Sequence, residues 1–109
     1  MNNQELSRKL ADCIAACENC ATQCLNEENI QMHVKCIKTD RDCADICALT
    51  LKLVNRNSHQ LNEILKVCIV TCIACEQECR KHDRGHCQKC ADACHTCHQA
   101  CEEYLSVAA

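Results

Sequence analysis

The sequence contains no proline, tryptophan or phenylalanine, and it has a single glycine, Gly85, and a single tyrosine, Tyr104. Folds made of many short strands need glycine- and proline-rich turns, so these absences argue against a β-sandwich or β-barrel. Nucleic-acid binding relies on basic grooves and stacking rings, which a chain with a net charge of -3 and one aromatic residue does not offer. The composition therefore predicts a helical protein with no nucleic-acid partner.

No apolar stretch is long enough to cross a membrane, and the segment from Met1 to Glu5 is polar and acidic. It lacks the basic residues followed by an apolar run that are typical of an export signal. We therefore expect a cytoplasmic location and no membrane partner. In a reducing compartment, a high cysteine content indicates metal or redox chemistry rather than a disulfide scaffold.

Ordinary core-forming residues are scarce, because leucine, isoleucine and valine together number only 21 of 109 residues. Cysteine, by contrast, occurs 16 times, about 15% of the chain. A free thiol packs as a small apolar group, so cysteine must supply the missing core volume. The length suits one domain, which we expect to span residues 1–109.

The cysteines recur every three or four residues, a spacing that places each set on one face of a helix. One set has an aspartate, Asp40, at a position where the spacing of four, three and four residues predicts a cysteine. The four rows are Cys13, Cys17, Cys20 and Cys24; Cys36, Cys43 and Cys47 with Asp40; Cys68, Cys72, Cys75 and Cys79; and Cys87, Cys90, Cys94, Cys97 and Cys101.

Polar segments separate the rows and predict helices at about 4–26, 30–55, 59–82 and 85–106, with Asn57 or Ser58 capping the third helix. A shift of 55 residues superimposes the first row on the third, and a shift of 54 superimposes the second on the fourth. The chain therefore consists of two similar helical hairpins, 4–55 and 59–106. Because the connections are short, we predict an all-α, antiparallel up-down-up-down four-helix bundle with a Cys-lined core.

The two ends of this bundle differ in composition. At the end that holds the termini, which we name the leucine end, the rows continue into apolar residues: Leu6, Leu10, Leu51, Val54, Leu61, Ile64, Leu65 and Leu105. At the other end, the histidine end, they run into His33, His82 and His86, with Met32 beside them. Imidazole and thioether groups are metal ligands, so we interpret the histidine end as the mouth of the bundle and the leucine end as a plug.

Thiolates select soft metals, namely Cu(I), zinc or iron in iron–sulfur clusters. Cysteines three or four residues apart on a helix can hold one ion between two sulfur atoms, which suits Cu(I), and facing rows let one sulfur bridge two ions. Zinc, with four thiolates per tetrahedral ion, would saturate at about four ions per chain if no sulfur atom were shared. The iron–sulfur spacing of bacterial ferredoxins is absent.

Cu(I) storage is the function this pattern favours, with many ions per chain. Zinc or general metallothionein-like buffering and a copper chaperone remain alternatives. No catalytic constellation stands out, and buried thiols are poorly accessible, so we expect no enzymatic activity. The predicted metal ligands are Cys13, Cys17, Cys20, Cys24, Cys36, Cys43, Cys47, Cys68, Cys72, Cys75, Cys79, Cys87, Cys90, Cys94, Cys97, Cys101, His33, His82 and His86.

Ligation by Asp40, Met32 or His98 is left open by the sequence, while His95 and His59 are expected at the surface. Cu(I) disfavours hard oxygen ligands, so Asp40 has the alternative role of a polar core residue that hydrogen bonds to thiols.

Two segments carry a family resemblance that extends over essentially the whole chain. Residues 40–49, Asp-Arg-Asp-Cys-Ala-Asp-Ile-Cys-Ala-Leu, and residues 78–91, with Glu-Cys-Arg-Lys-His-Asp and His-Cys-Gln-Lys-Cys-Ala, resemble the cytosolic branch of the bacterial copper storage proteins. The resemblance implies a homotetramer of bundles, each holding many Cu(I) ions mainly through cysteine pairs, with histidines near the opening. The thiol rows of that family extend further toward the closed end, where this chain has Leu10 and Leu65.

Overall fold

Helices make up nearly the whole computed structural model, which describes the backbone of residues 1–108 and the side chains of residues 1–107. The elements are α1 (Asn3–Leu25), a short 3₁₀ helix (Ile30–His33), α2 (Val34–Asn55), α3 (Leu61–Arg80) and α4 (Gly85–Ala108). No strand occurs in the part of the chain that is described, which confirms the all-α prediction. None of these helices is both long and apolar enough to cross a membrane.

The helices form a bundle of 45 × 19 × 18 Å in which α1 and α3 each pack against α2 and α4. Asn3, at the start of α1, donates from Nδ2 to the carbonyl oxygen of Val54 near the end of α2, at 3.5 Å. Its Oδ1 accepts a hydrogen bond of 2.7 Å from the hydroxyl of Tyr104 near the end of α4. The start of α1 thus lies beside the ends of α2 and α4, which gives the predicted antiparallel bundle.

The turn between α2 and α3 differs from the prediction. The third helix begins at Leu61 rather than at residue 59, and neither Asn57 nor Ser58 caps it. Asn57 has a φ of 50°, a left-handed conformation that asparagine tolerates better than most residues. The Ser58 hydroxyl accepts a hydrogen bond of 3.0 Å from the backbone N–H of Gln60, within the turn. These polar residues therefore close the hairpin connection instead of starting the helix.

The second predicted helix also starts later than expected, because residues 30–33 form the separate 3₁₀ helix. This segment packs against both α1 and α2 at the histidine end. It buries His33, while the neighbouring Met32 remains 66% exposed. The tighter winding thus decides which of the two adjacent side chains points into the bundle.

At the leucine end the core is apolar, as predicted, with Leu6, Leu10, Val54 and Leu65 fully buried. Thr50, which the cysteine spacing did not predict to be buried, is fully buried and continues the row of α2 between Cys47 and Val54. Its hydroxyl donates to the carbonyl oxygen of Ile46 at 2.7 Å, so the helix itself satisfies this polar group.

Shortening a buried leucine side chain tests whether the leucine end stabilises the metal-free bundle. We expect Leu10→Ala to lower the free energy of unfolding by about 2–5 kcal/mol, because Leu10 is fully buried and its removal leaves a cavity. The measurement is urea unfolding of the reduced, metal-free protein followed by circular dichroism.

Val107→Ala is the matched control, since Val107 is 71% exposed near the end of α4 and should change stability by about 0.5 kcal/mol or less. Equal losses for the two variants, or a metal-free protein without helix, would contradict this account of the core.

Candidate metal centre

All sixteen cysteines are free thiols with no exposed surface. Within a helix, the Sγ atoms of Cys13 and Cys17 are 4.0 Å apart. Between helices the distances are similar or shorter, with 3.6 Å from Cys43 to Cys72 and 3.8 Å from Cys47 to Cys68. Two thiolates bound to one tetrahedral metal ion at about 2.3 Å lie roughly 3.8 Å apart, so these sulfur atoms already have the spacing of shared ligands.

The sulfur atoms also form overlapping groups. The Cys13 Sγ belongs to two sets of four thiols whose ligand atoms all lie within 4.8 Å of one another. One set is completed by Cys17, Cys43 and Cys94, and the other by Cys47, Cys72 and Cys97. Separate tetrahedral zinc sites would divide the thiols into groups that share no member. Ions that occupied both groups at once would be bridged by their common thiolate, that of Cys13.

Asp40 lies fully buried within this array, at the position where its row lacks a thiol. Its Oδ1 accepts hydrogen bonds from the thiols of Cys75 at 3.3 Å, Cys79 at 3.4 Å and Cys90 at 3.3 Å. Burial, reinforced by the proximity of the Cys90 and Cys75 thiols, raises the pKa of Asp40 far above its usual range. In the metal-free protein this side chain is therefore a neutral carboxylic acid that organises three surrounding thiols.

Burial also acts on the thiols at the histidine end. It is the largest cause that raises the pKa of Cys24 and of Cys87, and nearby cysteines add to the effect. Because a thiolate rather than a thiol binds metal, an arriving ion must displace a proton from each such ligand.

At the histidine end, two of the three predicted histidines contact the sulfur rows. The Nδ1 atom of His33 is 3.5 Å from the Sγ of Cys24, and the Nδ1 atom of His86 is 3.5 Å from the Sγ atoms of both Cys20 and Cys87. These imidazoles therefore lie where the thiol rows end.

The third histidine, His82, stacks on His33 with the ring centres 4.7 Å apart. Both rings line a cavity of about 350 Å³, whose walls include Met32. The structure thus gathers His33, His82 and His86 at one end of the bundle, as the sequence pattern indicated, although His82 contacts a ring rather than a thiol.

Two glutamates that the sequence pattern did not predict as part of the site hydrogen bond to these histidines. Glu27 accepts a hydrogen bond of 2.9 Å from Nε2 of His86, and Glu78 accepts one of 2.9 Å from Nε2 of His82. With the proton on Nε2, the Nδ1 lone pair of His86 faces the thiols, which is how an outer carboxylate orients a metal-binding imidazole. Glu78 precedes His82 by four residues and was therefore recognisable from helical spacing, whereas Glu27 is 59 residues from His86.

The pKa values of both glutamates reflect these contacts. The hydrogen bond from His86, opposed by burial and supported by Arg84, lowers the pKa of Glu27. Burial tends to raise the pKa of Glu78, but the hydrogen bonds and charges of His82 and Lys81 outweigh it and lower the pKa. Both carboxylates are therefore ionised at neutral pH.

The remaining histidines do not point into the thiol array. His98 is buried, but its two ring nitrogens face the carboxylates of Glu76 and Glu102. His95 is exposed and contacts Glu76, and His59 is exposed in the turn before α3.

Fold and site together define a helical bundle whose core is a continuous array of metal-binding thiols. The chain belongs to the copper storage protein family, Csp, whose family model matches residues 1–106. It is 50% identical over 91 residues to the cysteine-rich protein YhjQ of Bacillus subtilis strain 168, a match that covers 83% of each chain.

Solved structures of this family superimpose closely. Metal-free Csp3 from Bacillus subtilis matches with a TM-score of 0.88 and 42% identity, covering 94% of this chain and 97% of that chain. The Cu(I)-bound copper storage protein BsCsp3 gives a TM-score of 0.90 at the same identity and coverage. Ccsp from Streptomyces lividans, loaded with 10 copper equivalents, gives 0.92 with 36% identity over 95% of this chain and 83% of that chain.

The raised pKa of Asp40 makes a prediction for the stability of the metal-free protein. Above about pH 5 the unfolded chain has lost the Asp40 proton while the folded chain keeps it, so folding takes up a proton and stability falls as pH rises. Asp40→Asn, which resembles the neutral acid, should remove this dependence. As the pH rises from about 5 to 7, the unfolding free energy of the wild type should fall relative to that of Asp40→Asn. The expected loss is up to about 1.4 kcal/mol per pH unit.

The measurement is urea unfolding at several pH values, with Asp45→Asn on the exposed face of α2 as the control. A wild-type protein that gains stability relative to Asp40→Asn as pH rises would show that Asp40 is ionised in the folded state.

Proposed function

We propose that this protein stores Cu(I) in the cytosol and holds many ions per chain inside the bundle. The observation that carries the proposal is the buried array of sixteen free thiols with neighbouring sulfur atoms about 4 Å apart and shared between groups. Membership of the copper storage family and the similarity to Cu(I)-bound BsCsp3 support the choice of copper as the metal.

The proposed ligands are the sixteen cysteines of the four rows, with His33, His82 and His86 acting at the mouth. His33 and His86 are suited to receive an ion because each has Nδ1 at 3.5 Å from a thiol that belongs to the array. His82 is suited to a first contact, since it lines the cavity and stacks on His33. Asp40 then supports the array through thiol hydrogen bonds, with no requirement that it bind copper.

Zinc buffering is less well supported than Cu(I) storage. The similarity to Cu(I)-bound BsCsp3 favours copper, whereas the sulfur geometry alone suits either metal because zinc can also share bridging thiolates. Copper chaperones need an accessible cysteine pair from which the ion can be passed to a partner. All sixteen cysteines are buried, which supports retention of the metal over rapid transfer.

We also propose that the protein is not an enzyme and that it assembles as a homotetramer in the cytosol. The description of the Streptomyces lividans Ccsp as a cytosolic copper storage protein supports the location. Exposed apolar residues on neighbouring helices, including Leu49 on α2 and Val67 and Val70 on α3, support association of the bundles.

The copper capacity tests storage directly. Anaerobic titration of the reduced protein with Cu(I), in the presence of a competing chelator, should saturate well above four ions and at the order of the sixteen thiols per chain. Metal and thiol must be counted on the same sample. Saturation at one or two ions would contradict storage, and about four ions would favour unshared tetrahedral sites.

A variant with Ser in place of Cys20, Cys43, Cys75 and Cys97 should show a clearly reduced capacity, because it removes a thiol from each row. An unchanged capacity in this variant would place the copper outside the array.

The direction of loading is tested by changing each end of the bundle separately. Replacing His33, His82 and His86 with Ala should change the rate of Cu(I) uptake or release several-fold, because His33 and His82 line the cavity at the proposed mouth and His86 contacts Cys20 and Cys87. The capacity should fall by no more than the few ligands removed. Stopped-flow loading with a chromophoric Cu(I) donor gives the rate.

The control Leu61→Phe adds bulk at the leucine end, and His59→Ala removes an exposed histidine near the same end. If Leu61→Phe blocks loading while the triple histidine variant loads normally, copper enters from the leucine end.

A further inference from the structure

A second cluster of metal-binding side chains lies between α3 and α4, outside the thiol array. Glu76 of α3 uses both carboxylate oxygens here, with Oε1 at 2.8 Å from Nε2 of His98 and Oε2 at 3.0 Å from Nδ1 of His95. Glu102 approaches the other side of the His98 ring, with Oε1 at 3.1 Å from Nδ1. His98 is only 9% exposed, so these contacts occur in a largely dehydrated place.

Both ring nitrogens of His98 have a carboxylate neighbour. A neutral imidazole has one donor nitrogen and one acceptor nitrogen, yet both nitrogens of His98 face carboxylate oxygens. When Glu102 accepts the Nδ1 proton, the lone pair on Nε2 points at the Glu76 carboxylate from 2.8 Å. With this tautomer, Nε2 of His98 can bind a metal ion together with the Glu76 carboxylate.

The geometry suits a metal ion. His95 and His98 are three residues apart on α4 and therefore share a helix face, and their ring centres are 5.1 Å apart. Imidazole nitrogens lie about 2 Å from a bound zinc ion, so rings that share an ion have centres roughly 6 Å apart or closer. Glu102 then has the role of an outer carboxylate that fixes the tautomer of a metal-binding histidine.

Access and charge are also compatible with a bound ion. Glu76, His95 and His98 line a groove of about 500 Å³ that is open to solvent on one side, so water can complete the coordination. The nearest positive charge is Arg80, whose guanidinium lies 3.8 Å from Glu76 but only 2.8 Å from Asp92. Asp92 thus offsets much of the repulsion that Arg80 would exert on a cation.

We propose that His95, His98 and Glu76 form a thiol-free site for one divalent ion of the zinc class. Two imidazoles and a carboxylate suit borderline divalent metals, whereas Cu(I) prefers the sulfur atoms of the core. The protein would thereby separate two kinds of metal, with Cu(I) inside the bundle and a divalent ion on the α3–α4 face. The site does not depend on copper storage, because none of its ligands is a thiol.

The experiment is a zinc titration of the protein whose thiols have first been saturated with Cu(I) under anaerobic conditions. Isothermal titration calorimetry, with copper and zinc counted afterwards by elemental analysis, should show one more zinc ion bound per wild-type chain than in His98→Ala or Glu76→Gln. Copper content should be the same before and after the titration. His59→Ala and Glu103→Gln, which change exposed residues elsewhere, should bind zinc as the wild type does.

Nuclear magnetic resonance of the same Cu(I)-saturated protein, labelled with ¹⁵N at histidine, gives a second measurement. Zinc should shift the Nε2 resonance of His98 and the Nδ1 resonance of His95, while the resonances of His59 stay unchanged. Circular dichroism confirms that each variant remains helical.

Three results would overturn the proposal. The first is zinc binding that is equal in wild type, His98→Ala and Glu76→Gln. The second is zinc uptake only with loss of copper, which would place zinc among the thiols. The third is a His98 ring that does not respond to zinc, which would show that its contacts with Glu76 and Glu102 are hydrogen bonds alone.

Discussion

The packing of thiol against thiol governs the rest of this structure, because the same side chains must fill the core and remain available as ligands. Cysteine can do both, since a protonated thiol is a small apolar group and a thiolate is a soft metal ligand. All sixteen thiols are buried, and neighbouring pairs such as Cys43 and Cys72 approach to 3.6 Å. The apolar residues of the leucine end supply the larger side chains that a core of cysteine lacks.

Asp40 is a polar side chain buried among the thiols, where it must be both neutral and hydrogen bonded. A charged carboxylate would be costly in such an environment, and the raised pKa keeps the side chain neutral. Three thiols donate to one of its oxygens, so the carboxyl group is satisfied without water. At the histidine end the opposite holds, since Glu27 and Glu78 remain charged because imidazole and basic side chains pair with them.

The sequence predicted the helices and the thiol rows because both follow from one periodicity. Residues three or four apart share a helix face whatever the details of packing, so the burial of the cysteines and of Leu10 was accessible without coordinates. The internal repeat also showed that the first row corresponds to the third and the second row to the fourth. The function followed from the same residues, since a large number of soft ligands on facing rows suits few metals.

Other features depend on contacts between distant segments or on local turn geometry. The Glu27–His86 hydrogen bond joins residues 59 positions apart, and no pattern in the sequence links them. The 3₁₀ winding of residues 30–33 and the left-handed Asn57 reflect how the connections close over the bundle ends. Thr50 was not predicted to be buried because its hydroxyl suggests a surface position, although a helix carbonyl can satisfy it internally.

The close spacing of the sulfur atoms also limits how a metal ion could move through the bundle. Neighbouring Sγ atoms such as those of Cys36 and Cys79, 3.7 Å apart, are in van der Waals contact, which leaves no gap for a water molecule between them. An ion therefore cannot travel along this axis with its hydration shell. An ion that moved along the rows would have to bond to a new sulfur atom before an old one left, so its movement would be a sequence of ligand exchanges rather than diffusion through a pore.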